Sequence, residues 1–269
     1  MKNLKHLFMS LALLSFVACS NETENMTQGQ SAVMLDFGTE LTYGNQTKAT
    51  DTRTVDVTPY KDVKNYTVEL IKNGIVQNTY NYGTMNLKND IEPGTYTFKA
   101  YFGENVSAAW DALYVEGSKE FTAEKGRVTK VQFVCTPANA KVKVVYTPEF
   151  SQYYSDCTIN VTTKYQATPF AMTKADADQN KEAYFKVDAT ETAMTLAFDL
   201  KDKQGISVTP KSFGPQTVNV KARDFLTLTV KPNVVDVQVG KIEGITVTVD
   251  NGLTEKPLTV VITDSYVKE

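Results

Sequence analysis

Almost every stretch after residue 31 alternates apolar and polar residues with a period of two, and turn residues interrupt the alternation every few positions. A period of two puts one set of side chains on each face of an extended strand, so the pattern dictates half-buried strands rather than helices. Tyr66–Ile71 alternates, Asn73-Gly74 follows, and Ile75–Tyr82 resumes the pattern. Asn-Gly between alternating runs is a strong hairpin signal, because both central residues of the tight turn need positive φ. Glu92-Pro93-Gly94 is a second turn, with the proline presetting φ and the glycine supplying the left-handed position. Thr95–Tyr101 then alternates, and Glu120–Thr122 and Val128–Cys135 flank a turn at Glu124-Lys125-Gly126.

A second series begins at Ala140. Lys141–Tyr146 reads as basic outward and apolar inward. Strands are expected at Cys157–Thr163, Ala183–Val187, Met194–Leu200, Thr217–Ala222, Leu226–Val230, Val234–Val239, Ile245–Val249 and Leu258–Thr263. Many short strands at turn-punctuated intervals predict sandwiches. The best short-helix candidate is Ser107–Leu113. The expected fold is all-β, with two tandem β-sandwich domains of immunoglobulin-like or fimbrillin-like type at 32–136 and 137–269, dividing near Thr136–Asn139.

The first 18 residues read as a signal peptide. Lys2 and Lys5 precede an apolar run from Leu7 to Ala18 that is too short to cross a bilayer, which takes about 20 apolar residues. Phe16-Val17-Ala18-Cys19 resembles the bacterial lipobox, with Phe16 in place of the usual leucine. The Cys19 thiolate would carry the lipid and become the first mature residue, anchoring the chain to a membrane. Residues 19–31 are polar without apolar periodicity and read as a flexible tether. Glu22 and Glu24 resemble the acidic signal that sends Bacteroides-type lipoproteins to the outer face of the outer membrane.

Of 28 basic and 31 acidic side chains, two lysines and no acids fall in the first 18 residues, as does the single histidine, His6. The mature chain therefore carries a net charge of about −5 at neutral pH. That balance argues against nucleic acid, whose binding rests on lysine and arginine. Without histidine there is no Ser-His-Asp triad, no Cys-His pair and no histidine metal site. Paired carboxylates alone could hydrolyse glycosides, but no pair stands out in the sequence. The expectation is a non-enzymatic protein with no cofactor and no metal.

Cys135 and Cys157 share strand parity with apolar neighbours, which favours two buried thiols over a disulfide between them, although an exported pair can also bridge. Asp176, Asp178 and Asn180 alternate like ligands of a calcium loop, with Glu182 beyond. Lys181 and Val187 stand where such a loop needs glycine and a bidentate glutamate, so a solvated loop is expected. Trp110, the only tryptophan, lies near Tyr101, Phe102 and Tyr114 in sequence. Trp110 and Tyr114 are the candidate ligand-contact aromatics, as a platform for a sugar ring, but the largely apolar surroundings favour packing. Tyr146 is expected to face the core, with Phe150, Tyr153 and Tyr154 as candidates for exposure.

Tyr66–Leu70, Asn73-Gly74, Glu92–Tyr96, Ala100–Gly103, Tyr114–Gly117, the strand to Cys135, and Asn139–Val142 occur in an order that resembles a family of Bacteroides lipoproteins, domain-of-unknown-function family 4493. The resemblance spans roughly residues 30–269. Its architecture is similar to that of fimbrillin-like surface proteins, which are lipid-anchored, two-domain and all-β. The resemblance implies no catalytic residues. It implies an adhesin or pilus component at the cell surface, with other fimbrial subunits as partners; a glycan binder of a polysaccharide uptake system is the alternative. In fimbrillin-type pilins, cleavage after a basic residue removes the first strand and a strand of the next subunit replaces it. Lys48 and Arg53, in the polar stretch after the expected strand Val33–Tyr43, are the matching candidates; ordinary loop charges are the plainer reading.

Overall fold

The structure is a computed structural model that describes residues 31–43, 55–86, 88–210, 213–236, 241–250 and 258–262. The first half contains β1 (Ser31–Thr39), β2 (Thr67–Lys72), β3 (Ile75–Asn81), β4 (Lys88–Ile91), β5 (Gly94–Phe102), β6 (Ala108–Trp110), β7 (Val115–Ala123) and β8 (Val128–Pro137). The second half contains β9 (Asn139–Tyr146), β10 (Asp156–Thr162), β11 (Phe170–Met172), β12 (Ala183–Lys186), β13 (Thr192–Lys201), β14 (Gln216–Val220), β15 (Phe225–Asp236), β16 (Lys241–Asp250) and β17 (Leu258–Ile262). The helices α1 (Thr58–Lys61), α2 (Phe150–Tyr153) and α3 (Lys174–Asp178) are one turn or slightly more. The chain is therefore mostly β, as its alternation dictates. At the β2–β3 turn, Asn73 and Gly74 have φ of 54° and 76°, the left-handed pair that the tight hairpin requires.

Three sheets form. One runs β3-β2-β5-β7-β8-β1-β4, the second β11-β10-β13-β14, and the third β17-β16-β15-β9-β12-β6. Strands at the two ends of the first sheet share one core: Val33, Leu35 and Phe37 of β1 pack with Val68, Leu70, Phe98 and Phe121 from β2, β5 and β7. A separate core in the second half gathers Val142 and Val144 of β9, Ile159 and Val161 of β10, Leu196 of β13 and Leu228 of β15.

The two halves share one connectivity. β1 is parallel to β8 and antiparallel to β4, and β9 is parallel to β15 and antiparallel to β12. In the other layer, β3-β2-β5-β7 is matched by β11-β10-β13-β14, with every neighbouring pair antiparallel. The halves differ in their additions. In the first, β7 and β8 touch through Val115↔Pro137 and Glu116↔Thr136, which joins its layers into one sheet. In the second, β16 and β17 extend the sheet beyond β15, and β6 extends it beyond β12.

Four expectations change. Ser107–Leu113 holds no helix: its centre is β6, a strand of the first half paired with Ala183–Phe185 of the second. Unpaired backbone on the β12 edge gives this short apolar segment ladder partners that a lone helical turn lacks. The first strand ends at Thr39, and Glu40–Tyr43 continue without ladder pairing. Leu226–Val230 and Val234–Asp236 belong to one strand, β15, with register shifts around Pro232 to Asp236 where the proline interrupts the ladder. Lys141, read as outward, is wholly buried. Its face of β9 looks toward the first half rather than toward water.

Candidate functional site

The first segment, Ser31–Tyr43, ties the two halves together. β1 lies between β8 and β4, with eight register pairs to β8 from Ala32↔Val128 to Thr39↔Cys135. Its inward side chains Val33, Leu35 and Phe37 are buried, and so are Leu41 and Tyr43 beyond it. Phe37 stacks on Phe133 at 5.4 Å between centroids and meets Tyr82 at 4.5 Å and Tyr66 at 5.5 Å. Burying each such side chain contributes about 1.5–3 kcal/mol, so the segment is a large share of the first core.

Glu40–Tyr43 then dock on the second half. The Tyr43 hydroxyl donates to Asn139 Oδ1 at 2.9 Å, and Asn139 Nδ2 donates to the Ala112 carbonyl at 2.9 Å. The Tyr43 ring stands edge-on to Tyr184 at 6.4 Å. Arg223 Nε donates to the Thr42 carbonyl at 3.2 Å, and Arg223 Nη2 reaches Glu40 Oε1 at 2.5 Å and Thr42 Oγ1 at 3.1 Å. The Thr42 hydroxyl and then Arg223 hold the Glu40 carboxyl below its ordinary range.

Behind this contact lies a buried ion pair. Lys141 Nζ donates to Glu182 Oε1 at 3.1 Å with both side chains wholly buried. The Tyr184 hydroxyl approaches the other oxygen, Oε2, at 3.5 Å. Lys141 Nζ also sits 4.1 Å from the Phe225 ring centre and 5.1 Å from that of Tyr43. Aromatic faces compensate part of the hydration the ammonium gives up. No chemistry on a substrate follows from this arrangement. It is a junction in which a strand of one half is held by a buried charge pair of the other.

The remaining sequence candidates fall as follows. Cys19, Lys48 and Arg53 lie outside the described residues. Trp110 is half-buried at the edge of the second core, at 4.9 Å from Phe170, with Lys181 Nζ 5.4 Å from its ring centre. Tyr114 is buried, and its hydroxyl donates to Glu116 Oε2 at 3.0 Å; burial and then Glu116 raise its pKa. Their aromatic neighbours are different, Phe170 for Trp110 and Tyr101 for Tyr114, at 6.2 Å for the latter. Cys135 and Cys157 are free and buried in different cores. No bridge joins them, since each thiol sits in its own core. Burial pushes the Cys135 thiol up to about 12 and raises the Cys157 thiol as well.

The acids of the supposed calcium loop are otherwise engaged. Asp176 closes a capping box with Thr173 and pairs with Lys181 at 2.8 Å; Asp178 pairs with Lys174 at 2.6 Å; Glu182 holds Lys141. Of the second aromatic cluster, only Tyr153 is exposed: Phe150 and Tyr154 are buried, and Tyr146 is half-buried between Phe150 and the Cys157 carbonyl, to which its hydroxyl donates. Sequence reasoning missed the Lys141–Glu182 pair, because Lys141 alternates with apolar residues just as an outward lysine does and Glu182 is 41 residues away.

Residues 33–264 match the family described as domain of unknown function DUF4493. Among curated proteins no relative matches. The fold is similar to that of the fimbrial anchor protein Mfa2 from Porphyromonas gingivalis, at 11% identity and a TM-score of 0.40, covering 87% of this chain and 99% of that one. A candidate adhesin from Bacteroides thetaiotaomicron is 12% identical with a TM-score of 0.42, covering 88% and 100%. A candidate polysaccharide-binding protein from the same organism is 10% identical with a TM-score of 0.38, covering 87% and 98%. None of these likenesses transfers a role to any residue here. The family match spans most of the chain and both of its cores, and the chain accordingly belongs to the DUF4493 family.

Proposed function

We propose that this protein is a non-enzymatic, lipid-anchored surface protein of adhesive or fimbria-related type, built as two tandem immunoglobulin-like sandwiches. Lipid on Cys19 would hold it to the outer membrane, and residues 19–31 would space it from that membrane. The observation that carries the reading is the placement of β1. This strand enters between β8 and β4, fills the first core, and leads through the docked residues Glu40–Tyr43 to residues 44–54, which contain Lys48 and Arg53. Cleavage in that stretch would free a segment whose departure leaves an apolar groove and unpaired backbone. Buried donors and acceptors need partners, so such a groove favours the entry of a strand from another subunit.

The test is the N-terminus of the protein recovered from the cell surface, read together with its state of assembly in native extracts. Strand exchange would give a product that begins at Ala49 or Thr54, has left the lipid on Cys19 behind and runs as multimers, whereas the anchored form begins at Cys19. A uniform start at Cys19 with only monomer would leave an anchored protein that does not polymerise and would remove the strand-exchange part of the reading.

A further inference from the structure

The two halves share one connectivity but treat one seam differently. In the second half, the side of the core between β11 and β12 is closed by β6. Trp110 of β6 lies at 4.9 Å from Phe170 of β11, and Phe170 lies edge-on to Phe185 of β12 at 5.5 Å. A strand borrowed from elsewhere in the chain thus covers an exposed edge and plugs the seam with one large aromatic ring.

In the first half, the corresponding strands are β3 and β4, and the seam between them is open. It forms a cleft of about 260 Å3 with Val33, Leu70, Tyr96 and Phe98 in its floor. Tyr80 and Asn78 line it from β3, and Asn89 and Ile91 from β4. Asn78 lies opposite Leu70 in the β2–β3 register, on the inward face, yet it is exposed because nothing covers the seam among the described residues. β4 ends its sheet among the described residues, so its outer backbone edge lacks a ladder partner there. Lys72 donates to the Tyr96 hydroxyl at 3.2 Å, while Asp90 and Glu92 on the rim carry no ion pair among the described residues.

We propose that this cleft takes an extended segment of a partner polypeptide, laid beside β4 as β6 is laid beside β12. One large apolar or aromatic side chain fills the cleft, and a lysine or arginine faces Asp90 and Glu92. The volume is below the roughly 300–1,000 Å3 of pockets that enclose small-molecule ligands. It suits a single side chain, and the β4 edge beside it, which has no further strand in its sheet among the described residues, supplies the main-chain bonds of β-augmentation. Val33 of β1 forms part of its floor and β4 is held in the sheet by β1, so this surface exists while β1 is in place and is not the groove that departure of β1 would open.

The probe is a fluorescently labelled peptide of this chain's own residues 104–114, which contain β6, carrying Glu104→Lys and Asp111→Lys to match the acidic rim. Anisotropy with the mature chain should show saturable binding. Asn78→Trp, which fills the cleft from an exposed strand position, should weaken it by about tenfold or more, a loss typical of a blocked anchor pocket. Glu92→Lys should weaken it by severalfold at low salt and less at high salt. Melting curves check that each variant folds. Failure of the peptide to bind, or binding undiminished in Asn78→Trp, would overturn the proposal. So would a panel of soluble oligosaccharides that binds the parent chain but not Asn78→Trp, since that assigns the cleft to carbohydrate.

Discussion

Lys141 of β9 and Glu182, the residue just before β12, form an ion pair 3.1 Å apart and wholly buried, where the two halves of the chain meet. Removing one partner strands a charge in a dry site, which costs about 3–5 kcal/mol, whereas replacing both by apolar groups of similar size is often neutral. Lys141→Met and Glu182→Leu should each lower the urea midpoint strongly, and the double variant should recover most of the loss. A double variant as unstable as the worse single would show that the pair holds the junction by a route other than charge compensation.

Tyr43 anchors the first segment to this junction. Tyr43→Ala should cost about 3 kcal/mol, as buried aromatic truncations do, and should speed proteolysis of Ser31–Tyr43. Arg223→Ala should cost only about 0.5 kcal/mol, because Arg223 and Glu40 are partly exposed and screened by solvent.

The same contact has a pH dependence of known sign. Glu40 has a lowered pKa in the folded chain, caused first by Thr42 and then by Arg223. A lowered folded pKa contributes stability above the unfolded value, near 4.3 for glutamate, and the contribution is lost as pH falls through the folded value. The stability difference between the parent chain and Glu40→Gln should therefore be small and constant at neutral pH, begin to shrink as pH falls to the unfolded value of about 4.3, and vanish once pH is below the folded value. A difference that grows on acidification would contradict this assignment.

Gly103 is the corner from which the chain leaves β5 for β6. Its φ is 95°, and a Cβ there would stand 2.3 Å from the Leu113 carbonyl oxygen. Gly103→Ala should destabilise by about 2 kcal/mol or more through strain and displacement of the segment. Trp110→Ala should lower the melting temperature by a comparable free energy, since it opens the seam over Phe170. An unchanged melting transition with loss of glycan binding would instead mark Trp110 as a ligand contact.

Cys135 and Cys157 should resist alkylation in the folded chain and react fully once unfolded. Burial raises both thiol pKa values, so little thiolate forms at neutral pH and reagents have no access. Mass spectrometry after a short iodoacetamide pulse reads this directly, and an intact disulfide would appear as two blocked thiols that only a reductant releases.

Much of the strand content was legible because alternation and turn chemistry are local. Asn73-Gly74 had to turn, and Val131, Phe133 and Cys135 had to share a face, from backbone stereochemistry alone. The absence of histidine after His6 and the lipobox-like Phe16–Cys19 are likewise statements the sequence makes by itself. Long-range pairing was not legible, because the same alternating pattern suits many partners. Only the tertiary structure decided that β1 lies parallel to β8, that β9 and β15 repeat that arrangement, and that Ala108–Trp110 pairs with the opposite half. Lys141 shows why: residue type and periodicity put it in water, and it is buried because Tyr43, Phe225 and Glu182 converge on it from distant parts of the chain. A side chain's environment is set by what folds onto it, and that is a property of the assembled sheets rather than of any window of sequence.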